Sequence, residues 1–600
     1  QTLSVAPGTY TVSGAAVTSS GTQYTATVTG SPVTVASGAT STATVAYGTT
    51  VVPPGALAIT VAGLPAGTNA AVTVTGPNNF SQNVTTTGTL SVPAGSYTIA
   101  GNQVSAGSST YRATVTGSPA AVTSGGTVAA TVTYALVTNP NVTLTGSIAA
   151  NRTLFADTTY VIRGFVYVNS GATLTVRPGT RVVGDTTALG SALFVLRGAR
   201  IVADGTEAQP IVFTSQRSPG NRSPGDWGGL VIVGNARSNR SGSIIVEGSN
   251  GSVIGADPAG VVYTGGTNDG DNSGILRYVR VEFAGYATLP DNELNSFTLA
   301  AVGSGTTLEY LQSLAGLDDS FEWFGGTVDG RYLVSYESGD DHFDASEGYR
   351  GRNQFLIAFQ STFLTPRAGA GAVSTDPQGF EVDGCNGGGC TAPAGGNAQS
   401  SGRDDGLYTM NLFANFTLVG TGQAVTVPTN GGIGMVLRRG TGGYYLNGAV
   451  TRFARGAISL RDTTSNNRFL ADSLIVRNLY FAESGTLASN NPFDVASATL
   501  FGTEAAFAAR SSQITVAPAA TTAASLFTSL PTATATTVAS QFDWSPSAGS
   551  PLATGGLSSF TFDPKIAARA GSFIVPTPYR GAAAPGGPKW WANWTNYARN

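Results

Sequence analysis

The sequence predicts an all-β protein in which a long parallel β-helix follows two tandem immunoglobulin-like β-sandwich modules, the first of them incomplete. Three observations support this prediction: the composition, an internal repeat, and a change of sequence pattern near residue 141. Charged residues make up 11% of the 600-residue chain, and glycine occupies 79 positions. Such a chain has too few long polar side chains for many amphipathic helices, whereas its abundant Thr, Val and Tyr favour pleated strands.

The internal repeat covers residues 2–47 and 89–134, which align without a gap at an offset of 87. The string ATVTGSP at 26–32 recurs at 113–119. Each copy contains short alternating strands separated by Gly, Pro and Ser, and a repeat of about 85 residues with such strands favours an immunoglobulin-like sandwich. We therefore expect one complete module over residues 51–137.

The first copy of the repeat, residues 1–50, has no counterpart of the strands that precede residue 89 in the second copy. Half a sandwich would leave open strand edges and an uncovered apolar face. Two explanations stay open. Either upstream residues were cleaved or are not resolved, or a neighbouring molecule supplies the missing strands, as in polymers built by strand donation.

From about residue 141 to 490 the sequence carries short strands with glycine at the corners, a pattern typical of a parallel β-helix. The clearest pair of coils aligns residues 317–326 with 339–348 at an offset of 22. The same offset places Leu333 on Phe355. Matched positions should stack at the strand spacing of about 4.8 Å.

Several segments of this region carry motifs specific enough to compare with known families. They are YVIRGFVYV at 160–168, GDWGGLVIVG at 225–234, LRYVRVEFAG at 276–285, the segment 318–326, and an ending with YRGA at 579–582 and WWANWT at 590–595. Together they resemble a widespread family of secreted bacterial proteins. The resemblance covers about residues 141–600 and implies a right-handed parallel β-helix of the pectate-lyase-like architecture and export to the cell surface. It implies no particular reaction.

The most acidic part of the chain lies between residues 318 and 347, where nine of the 34 acidic residues occur. An offset of 22 predicts three stacked pairs: Asp318 on Asp340, Asp319 on Asp341, and Glu322 on Asp344. Carboxylates stacked at the strand spacing repel each other by roughly 1 kcal/mol per pair in water, and several-fold more where solvent is poor. Something must therefore offset this charge.

Three ways of offsetting the charge stay open. Ca²⁺ could bind the six stacked acids, because it accepts six to eight oxygen ligands at about 2.3–2.6 Å. Arg331, Arg350 and Arg352 could instead form salt bridges with the acids, or one acid of a pair could stay protonated. We expect His342, the only histidine, to be a packed or surface residue rather than a catalyst.

The two cysteines, Cys385 and Cys390, flank an Asn-Gly-Gly-Gly segment that allows the chain to fold back. We expect a local disulfide between them, with a reduced pair as the alternative. A disulfide would fit an oxidising compartment.

Residues 491–600 are predicted to form an irregular wrapping segment that ends in an aromatic cluster of Trp590, Trp591 and Trp594. Because a solenoid must cover its terminal coils, we expect this cluster to act as a cap. Stacking on carbohydrate rings is the alternative.

Composition argues against several classes of partner and function. The formal charge of −3 and the presence of only two lysines, Lys565 and Lys589, leave no basic surface for nucleic acid. The sequence contains no run of about 18 apolar residues, so it predicts no transmembrane helix. The sequence shows no signal peptide. If the protein is exported, we expect its signal peptide to have been removed already. Nucleophile-elbow and nucleotide-binding motifs are also missing from the sequence.

The favoured function is that of a secreted, cell-surface structural or adhesive protein. We expect it to self-associate into a filament or surface layer, through strand complementation of the incomplete module, and to have no enzymatic activity. The alternative is a β-helix that binds or degrades a polysaccharide, as a lyase or glycoside hydrolase, in the groove beside residues 318–352. Ca²⁺ is the one cofactor that the sequence suggests.

Overall fold

The structure is a computed structural model that describes residues 1–19, 22–50, 53–106, 109–137, 141–289, 292–385, 387–390, 407–428, 430–485, 492–494 and 514–598. The chain divides into two compact units, Gln1–Thr138 and Asn139–Asn600. In the described part of the chain, no helix is long and apolar enough to cross a membrane.

The first unit is built from short strands joined by turns. They are β1 (Gly8–Tyr10), β2 (Val17–Ser19), β3 (Thr22–Thr29), β4 (Val33–Val35), β5 (Thr44–Thr50), β6 (Gly55–Ala62), β7 (Val72–Gly76), β8 (Phe80–Val84), β9 (Gly88–Val92), β10 (Gly95–Gly101), β11 (Val104–Ala106), β12 (Ser109–Thr116), β13 (Ala120–Val122) and β14 (Thr127–Leu136). Strands β6 to β14 form one sheet in the order β13-β10-β7-β8 and a second in the order β11-β12-β14-β6-β9. Leu57, Val74, Ile99 and Val132 belong to one buried core in this part of the unit. The immunoglobulin-like topology of these modules stays a prediction.

The sequence repeat is also a structural repeat, because β1 to β5 recur as β10 to β14. The hydroxyl of Tyr10 donates a hydrogen bond to the backbone carbonyl of Ala6, four residues earlier. The hydroxyl of Tyr97 donates in the same way to the carbonyl of Pro93. The environment of the two copies differs. Tyr47 on β5 is 48% exposed, whereas its counterpart Tyr134 on β14 is 2% exposed beside the parallel strand β6.

Within the described residues, the second unit contains a parallel sheet of 25 strands. Its strands and the remaining ones are β15 (Asn141–Ile148), β16 (Arg152–Leu154), β17 (Thr159–Val168), β18 (Thr173–Val176), β19 (Arg181–Gly184), β20 (Ala192–Val195), β21 (Arg200–Asp204), β22 (Ile211–Ser215), β23 (Gly229–Val233), β24 (Gly274–Glu282), β25 (Ala287–Leu289), β26 (Asn292–Glu293), β27 (Phe297–Ala300), β28 (Thr307–Gly316), β29 (Phe321–Phe324), β30 (Gly330–Ser338), β31 (Phe343–Ser346), β32 (Arg352–Phe359), β33 (Phe380–Asp383), β34 (Leu412–Val419), β35 (Met435–Arg438), β36 (Gly443–Leu446), β37 (Ala449–Thr451), β38 (Ser459–Leu460), β39 (Leu474–Arg477), β40 (Leu479–Ala482), β41 (Ile514–Val516), β42 (Phe527–Ser529) and β43 (Asp543–Pro546). The described residues also contain three short α-helices: α1 (Thr463–Leu470), α2 (Ala523–Leu526) and α3 (Pro564–Ala570).

The parallel strands stack in three columns, as expected for a β-helix. Face A runs through β19, β22, the second halves of β24, β28, β30, β32 and β34, and then β37, β40 and β41. Face B runs through β20, β23, β27, β29, β31, β33, β35 and β38. Face C runs through β18, β21, the first halves of the same long strands, and then β36 and β39. Strand β41 adds a rung beyond the predicted end of the β-helix at residue 490.

The interior of the β-helix is apolar because alternate side chains of each strand point inward. On face B, Phe297, Phe321, Phe343 and Phe380 occupy successive rungs of one buried core. The rings of Phe297 and Phe321 stack with centroids 4.8 Å apart. Each of these strands therefore turns the residue after its phenylalanine outward.

The corner between face C and face A is formed by residues in the left-handed backbone region, with φ between 48° and 65°. The corner residues are Tyr278, Tyr310, Tyr332, Phe355, Asn415, Asn447 and Asn478. The rings of Tyr278 and Tyr310, and those of Tyr310 and Tyr332, stack at 4.4 Å. The strands continue through this corner without a loop, whereas the long loops leave at the other two corners: residues 234–273 between face B and face C, and residues 360–379 between face A and face B.

The predicted coil length of 22 residues holds for one pair of coils and fails at the next. Leu311 pairs with Leu333 as predicted. Leu333, however, pairs with Leu356 and not with Phe355, so the prediction at this position was wrong. The turn before β32 contains one additional residue, which moves Phe355 to the corner, where its ring stacks on Tyr332.

The carboxy-terminal segment packs along the side of the β-helix. Trp544, Phe542 and Tyr597 join one buried cluster with the outward-facing side chains Tyr336 and Phe359 of face A. The indole N–H of Trp544 donates to the Tyr336 hydroxyl at 2.9 Å. The segment therefore covers an apolar lateral surface.

The aromatic cluster near the carboxy terminus does not close the terminal coil, so the predicted cap needs correction. Trp594 packs edge-on against the rings of Tyr278 and Tyr310 at the C–A corner, at 5.7 and 6.2 Å. Trp590 contacts Tyr332 on the next rung. Trp591 and Trp594 are 1% and 0% exposed, so neither indole is free to stack on a sugar ring.

Candidate functional site

The predicted acidic residues come together on and beside face B. Glu322 pairs with Asp344, as the offset of 22 predicts, and Asp344 pairs in turn with Glu381 on β33. These three carboxylates point outward because the preceding phenylalanine of each strand points into the core. They form a row that crosses three consecutive rungs.

Four aspartates extend this row toward the corner between faces A and B. Asp318 and Asp319 precede β29, and Asp340 and Asp341 precede β31. The backbone N–H of Asp341 donates to Asp319 Oδ1 at 2.8 Å, which joins the two coils directly. We call the seven residues the acidic ladder: Asp318, Asp319, Glu322, Asp340, Asp341, Asp344 and Glu381.

Carboxylate oxygens of the acidic ladder approach one another closely enough to share a cation. Three groups of three have ligand atoms that all lie within 4.8 Å of one another. The groups are Asp318, Asp319 and Asp340; Asp319, Glu322 and Asp344; and Asp341, Asp344 and Glu381. Like charges at this distance destabilise each other unless they are protonated or bound by a cation.

Protein groups satisfy only part of the acidic ladder. The backbone N–H of Gln378 donates to Asp341 Oδ1 at 2.5 Å, and the amide of Asn295 donates to Glu322. The Oδ1 atoms of Asp340 and Asp344 are buried without any hydrogen-bond partner. A buried carboxylate oxygen without a donor carries a desolvation penalty of about 1–3 kcal/mol or more.

Burial shifts the acidic ladder toward its protonated form. Desolvation is the largest cause that raises the pKa of Asp340 to about 7; the charges of Asp376 and Glu293 act in the same direction, while a hydrogen bond from Ser374 and the charge of Arg438 lower it. Desolvation likewise raises the pKa of Glu381 to about 8, against the attraction of Arg438. For Asp344, desolvation and then the neighbouring Glu381 raise the pKa well above its usual value.

The arginine that contacts the acidic ladder differs from those predicted. Arg438 on β35 donates to Glu381, and its Nε lies 2.9 Å from Asp383 Oδ1. No other arginine of the described residues forms an ion pair with a member of the ladder.

The three arginines proposed from the sequence point to other partners. Arg350 approaches Asp269 at 3.4 Å, and Arg352 forms an ion pair with Asp329 at 2.5 Å. Arg331 donates to the carbonyl of Phe573 and lies over its ring. Arg331 and Arg352 lie on the first halves of β30 and β32, which belong to face C, and Arg350 lies just before β32. They do not form ion pairs with the acidic ladder because the ladder lies on and beside face B.

A cavity of about 480 Å³ adjoins the outward-facing row of the ladder. Its lining includes the carboxylates of Glu322, Asp344 and Glu381 and the guanidinium groups of Arg240 and Arg439. Arg240 forms an ion pair with Glu347 at 2.5 Å. The cavity thus presents carboxylates and guanidinium groups together.

The disulfide forms part of the same region. Cys385 and Cys390 are bonded, as expected. Their loop accepts hydrogen bonds from Arg240 Nε at Gly388 O and from Ser241 N–H at Gly389 O, at 2.7 and 3.0 Å. The disulfide loop therefore holds Arg240 beside the cavity.

His342 is buried and plays a structural role. Its Nδ1 lies 2.5 Å from Ser335 Oγ, and desolvation lowers its pKa to about 3. The imidazole is therefore neutral at ordinary pH.

Sequence reasoning missed Glu381 and Arg438. The segment Phe380-Glu381 repeats the pattern Phe-acid seen at Phe321-Glu322 and Phe343-Asp344, and this signal was available. Arg438 had no such signal, since it joins the ladder only through the stacking of β35 on β33.

Comparison with known proteins identifies the family. The chain matches a family model described as a pectate-lyase-like beta helix domain over residues 146–526. Comparison with curated proteins and with solved structures returned no match. Because the match covers more than half of the chain and coincides with the stacked parallel strands, this protein belongs to the pectate-lyase-like beta helix domain family.

Proposed function

We propose that this protein is an extracellular structural protein whose β-helix binds Ca²⁺ at the acidic ladder. The observation that carries the proposal is the set of three overlapping carboxylate groups within 4.8 Å, in which two buried oxygens have no partner. Ca²⁺ accepts several carboxylate oxygens in irregular geometry, whereas Mg²⁺ demands a near-ideal octahedron and retains water. A cation bound between rungs would join consecutive coils.

The geometry gives less support to glycoside hydrolysis by these acids. Hydrolysis uses two carboxyl groups about 5 to 9.5 Å apart, with the sugar between them. Within each of the three groups, the ligand oxygens lie within 4.8 Å of one another, and burial raises the pKa of every member of the ladder in the same direction. A hydrolase instead needs environments that separate the pKa values of its acid and base.

Export and self-association form the second part of the proposal. The Cys385–Cys390 disulfide is compatible with an oxidising compartment. Self-association into a filament or layer, through strand complementation within residues 1–50, is supported by Leu3 and Tyr47, which are 70% and 48% exposed. Strand addition would cover these apolar side chains.

Calcium binding is tested by thermal unfolding of the full chain after chelator treatment, with Ca²⁺ and then Mg²⁺ added back. We expect Ca²⁺ to raise the melting temperature and Mg²⁺ to do so much less. The Asp340→Asn/Asp341→Asn variant should lose the response, and the control Asp204→Asn, a partly exposed aspartate on β21, should keep it. An unchanged melting temperature of the wild-type protein in Ca²⁺ would contradict the proposal.

Self-association is tested by electron microscopy and light scattering over a range of protein concentrations. Ordered filaments or sheets support it, and dispersed monomers at high concentration remove it. A Tyr47→Ser variant should weaken assembly, whereas Tyr24→Ser on the neighbouring strand β3 serves as a matched comparison.

Polysaccharide binding is a second candidate function, favoured by the cavity of about 480 Å³ that combines carboxylates with Arg240 and Arg439. A panel of acidic polysaccharides, tested with and without Ca²⁺, addresses it. Cation-dependent cleavage that is lost in Asp340→Asn/Asp341→Asn would replace the structural proposal with an enzymatic one.

A further inference from the structure

We infer that the acidic ladder holds two Ca²⁺ ions at the same time, one at each end of the row. This inference rests on the proposed calcium binding and specifies its stoichiometry and ligands. The two ligand sets have no residue in common. The two sets are separate because one lies at the corner before β29 and β31, and the other lies on and beside β31 and β33.

The corner set consists of Asp318, Asp319 and Asp340, and the face set consists of Asp341, Asp344 and Glu381. Within each set, one ligand atom per residue lies within 4.8 Å of the others. Each set draws on two consecutive coils. Bound ions would therefore join β29 to β31 at the corner and β31 to β33 on face B.

Each set also contains one buried oxygen that the protein leaves without a partner. Asp340, whose Oδ1 has no partner, belongs to the corner set, and Asp344, whose Oδ1 has no partner, belongs to the face set and also to the middle group of Asp319, Glu322 and Asp344. Neither oxygen accepts a hydrogen bond, although neighbouring Asp319, Asp341 and Glu322 do. The unsatisfied oxygens thus mark two positions in the row, and a cation at each would satisfy both.

A third ion in the middle of the row is disfavoured. The middle group consists of Asp319, Glu322 and Asp344. It shares Asp319 with the corner set and Asp344 with the face set, so that only Glu322 belongs to it alone. An ion in the middle would have to share ligands with both neighbouring ions and would be repelled by them.

The two ends differ in charge, so the two ions should bind with different affinity. Arg438 donates to Glu381 in the face set. The corner set has no ion-paired arginine among the described residues, and Arg438 attracts its Asp340 only from a longer distance. Because a guanidinium group offsets part of the negative charge that attracts a cation, the corner set should bind Ca²⁺ more tightly.

The test is a count of bound ions in the full chain, by native mass spectrometry and calorimetric titration with CaCl₂ after removal of metal by a chelator. We expect two ions in the wild-type protein, bound in two steps. Asp340→Asn should remove the tighter step and Asp344→Asn the weaker one, and each variant should retain one ion. Asp204→Asn should still bind two.

Substitutions elsewhere in each set separate a lost ligand from a folding defect. Asp318→Asn should reproduce Asp340→Asn, and Glu381→Gln should reproduce Asp344→Asn, with the circular dichroism spectrum unchanged. A count of one or three ions in the wild-type protein, or the loss of both ions in well-folded variants of one set, would overturn the two-ion inference alone. Absence of any bound ion would overturn calcium binding itself.

Discussion

Faces A and B of the same β-helix carry outward-facing rows at the same rung spacing but with opposite chemistry. On face A the row runs through Leu314, Tyr336 and Phe359. On face B the corresponding feature is the row of Glu322, Asp344 and Glu381. The first row is buried under the carboxy-terminal segment, and the second adjoins a cavity.

The difference shows what stacking at a fixed spacing requires of each residue type. Apolar side chains on adjacent rungs attract each other and need only a cover that excludes water. Carboxylates on adjacent rungs repel each other and need protons or cations between them. The apolar row is therefore stabilised within the chain, whereas the acidic ladder depends on solution conditions.

The largest effect is expected from uncovering face A. Trp544→Ala removes a buried indole that contacts Tyr336 and Phe359. Loss of a buried tryptophan typically costs about 3–5 kcal/mol. Urea denaturation should show this decrease in the free energy of unfolding, with or without Ca²⁺. Trp590→Ala, at a half-buried position, should cost clearly less, and an equal cost would contradict this account of the cover.

The next effect is the pH dependence of the acidic ladder in the absence of cations. Burial raises the pKa of Asp340 to about 7 and of Glu381 to about 8, so the folded state retains protons that the unfolded state releases. This contribution to stability is fully present below about pH 4 and is lost as the pH rises through about 7 to 8.

In chelator, the free energy of unfolding should fall steadily between pH 5 and pH 8. Saturating Ca²⁺ should reduce the fall, since the cation replaces the protons. Denaturation curves at several pH values measure both. A stability that rises with pH in chelator would contradict the burial of these acids.

A smaller effect, with a change of sign, is expected for Asp344→Asn. In chelator the variant should be more stable than wild type by about 1–2 kcal/mol, because it removes repulsion from Glu322 and Glu381. At a Ca²⁺ concentration of 100 times the dissociation constant, the wild-type protein gains about 2.7 kcal/mol from the ion that the variant cannot bind. Under this condition the variant should therefore be less stable than the wild-type protein. The same sign under both conditions would show that Asp344 is not a ligand.

The smallest effect is expected for an acid outside the ladder. Glu309 on β28 is partly exposed and pairs with Arg277 at 3.0 Å. Partly exposed ion pairs contribute about 1 kcal/mol or less. Glu309→Gln should therefore change the free energy of unfolding by less than this amount at any Ca²⁺ concentration. A Ca²⁺-dependent change would extend the cation site beyond face B.

The sequence allowed the β-helix and the first two rungs of the ladder to be predicted, because an uninterrupted 22-residue coil repeats its pattern at a fixed offset. The prediction failed where that offset changes. One additional residue before β32 moved Phe355 from the strand to the corner. Loop 360–379 separates Asp344 from Glu381 in the chain, so no constant offset connects them.

Contacts between distant parts of the chain were also beyond the sequence pattern. The carbonyl oxygen of Trp594 accepts a hydrogen bond from Arg280, 314 residues earlier. No periodicity in the wrapping segment indicates which face it covers. The sequence therefore predicted an aromatic cover but placed it on the terminal coil instead of the lateral surface.

The corners from which loops leave the β-helix have a consequence for the evolution of this architecture. Since a loop can leave the coil at a corner without displacing the strands on either side, insertions and deletions there alter chain length but not rung order. Two members of such a family can share the same row of ligands while no common spacing is left in their alignment. Residues of two such proteins are best aligned by rung and face, so that carboxylates at the same position of the β-helix are matched even where the loops between them differ in length.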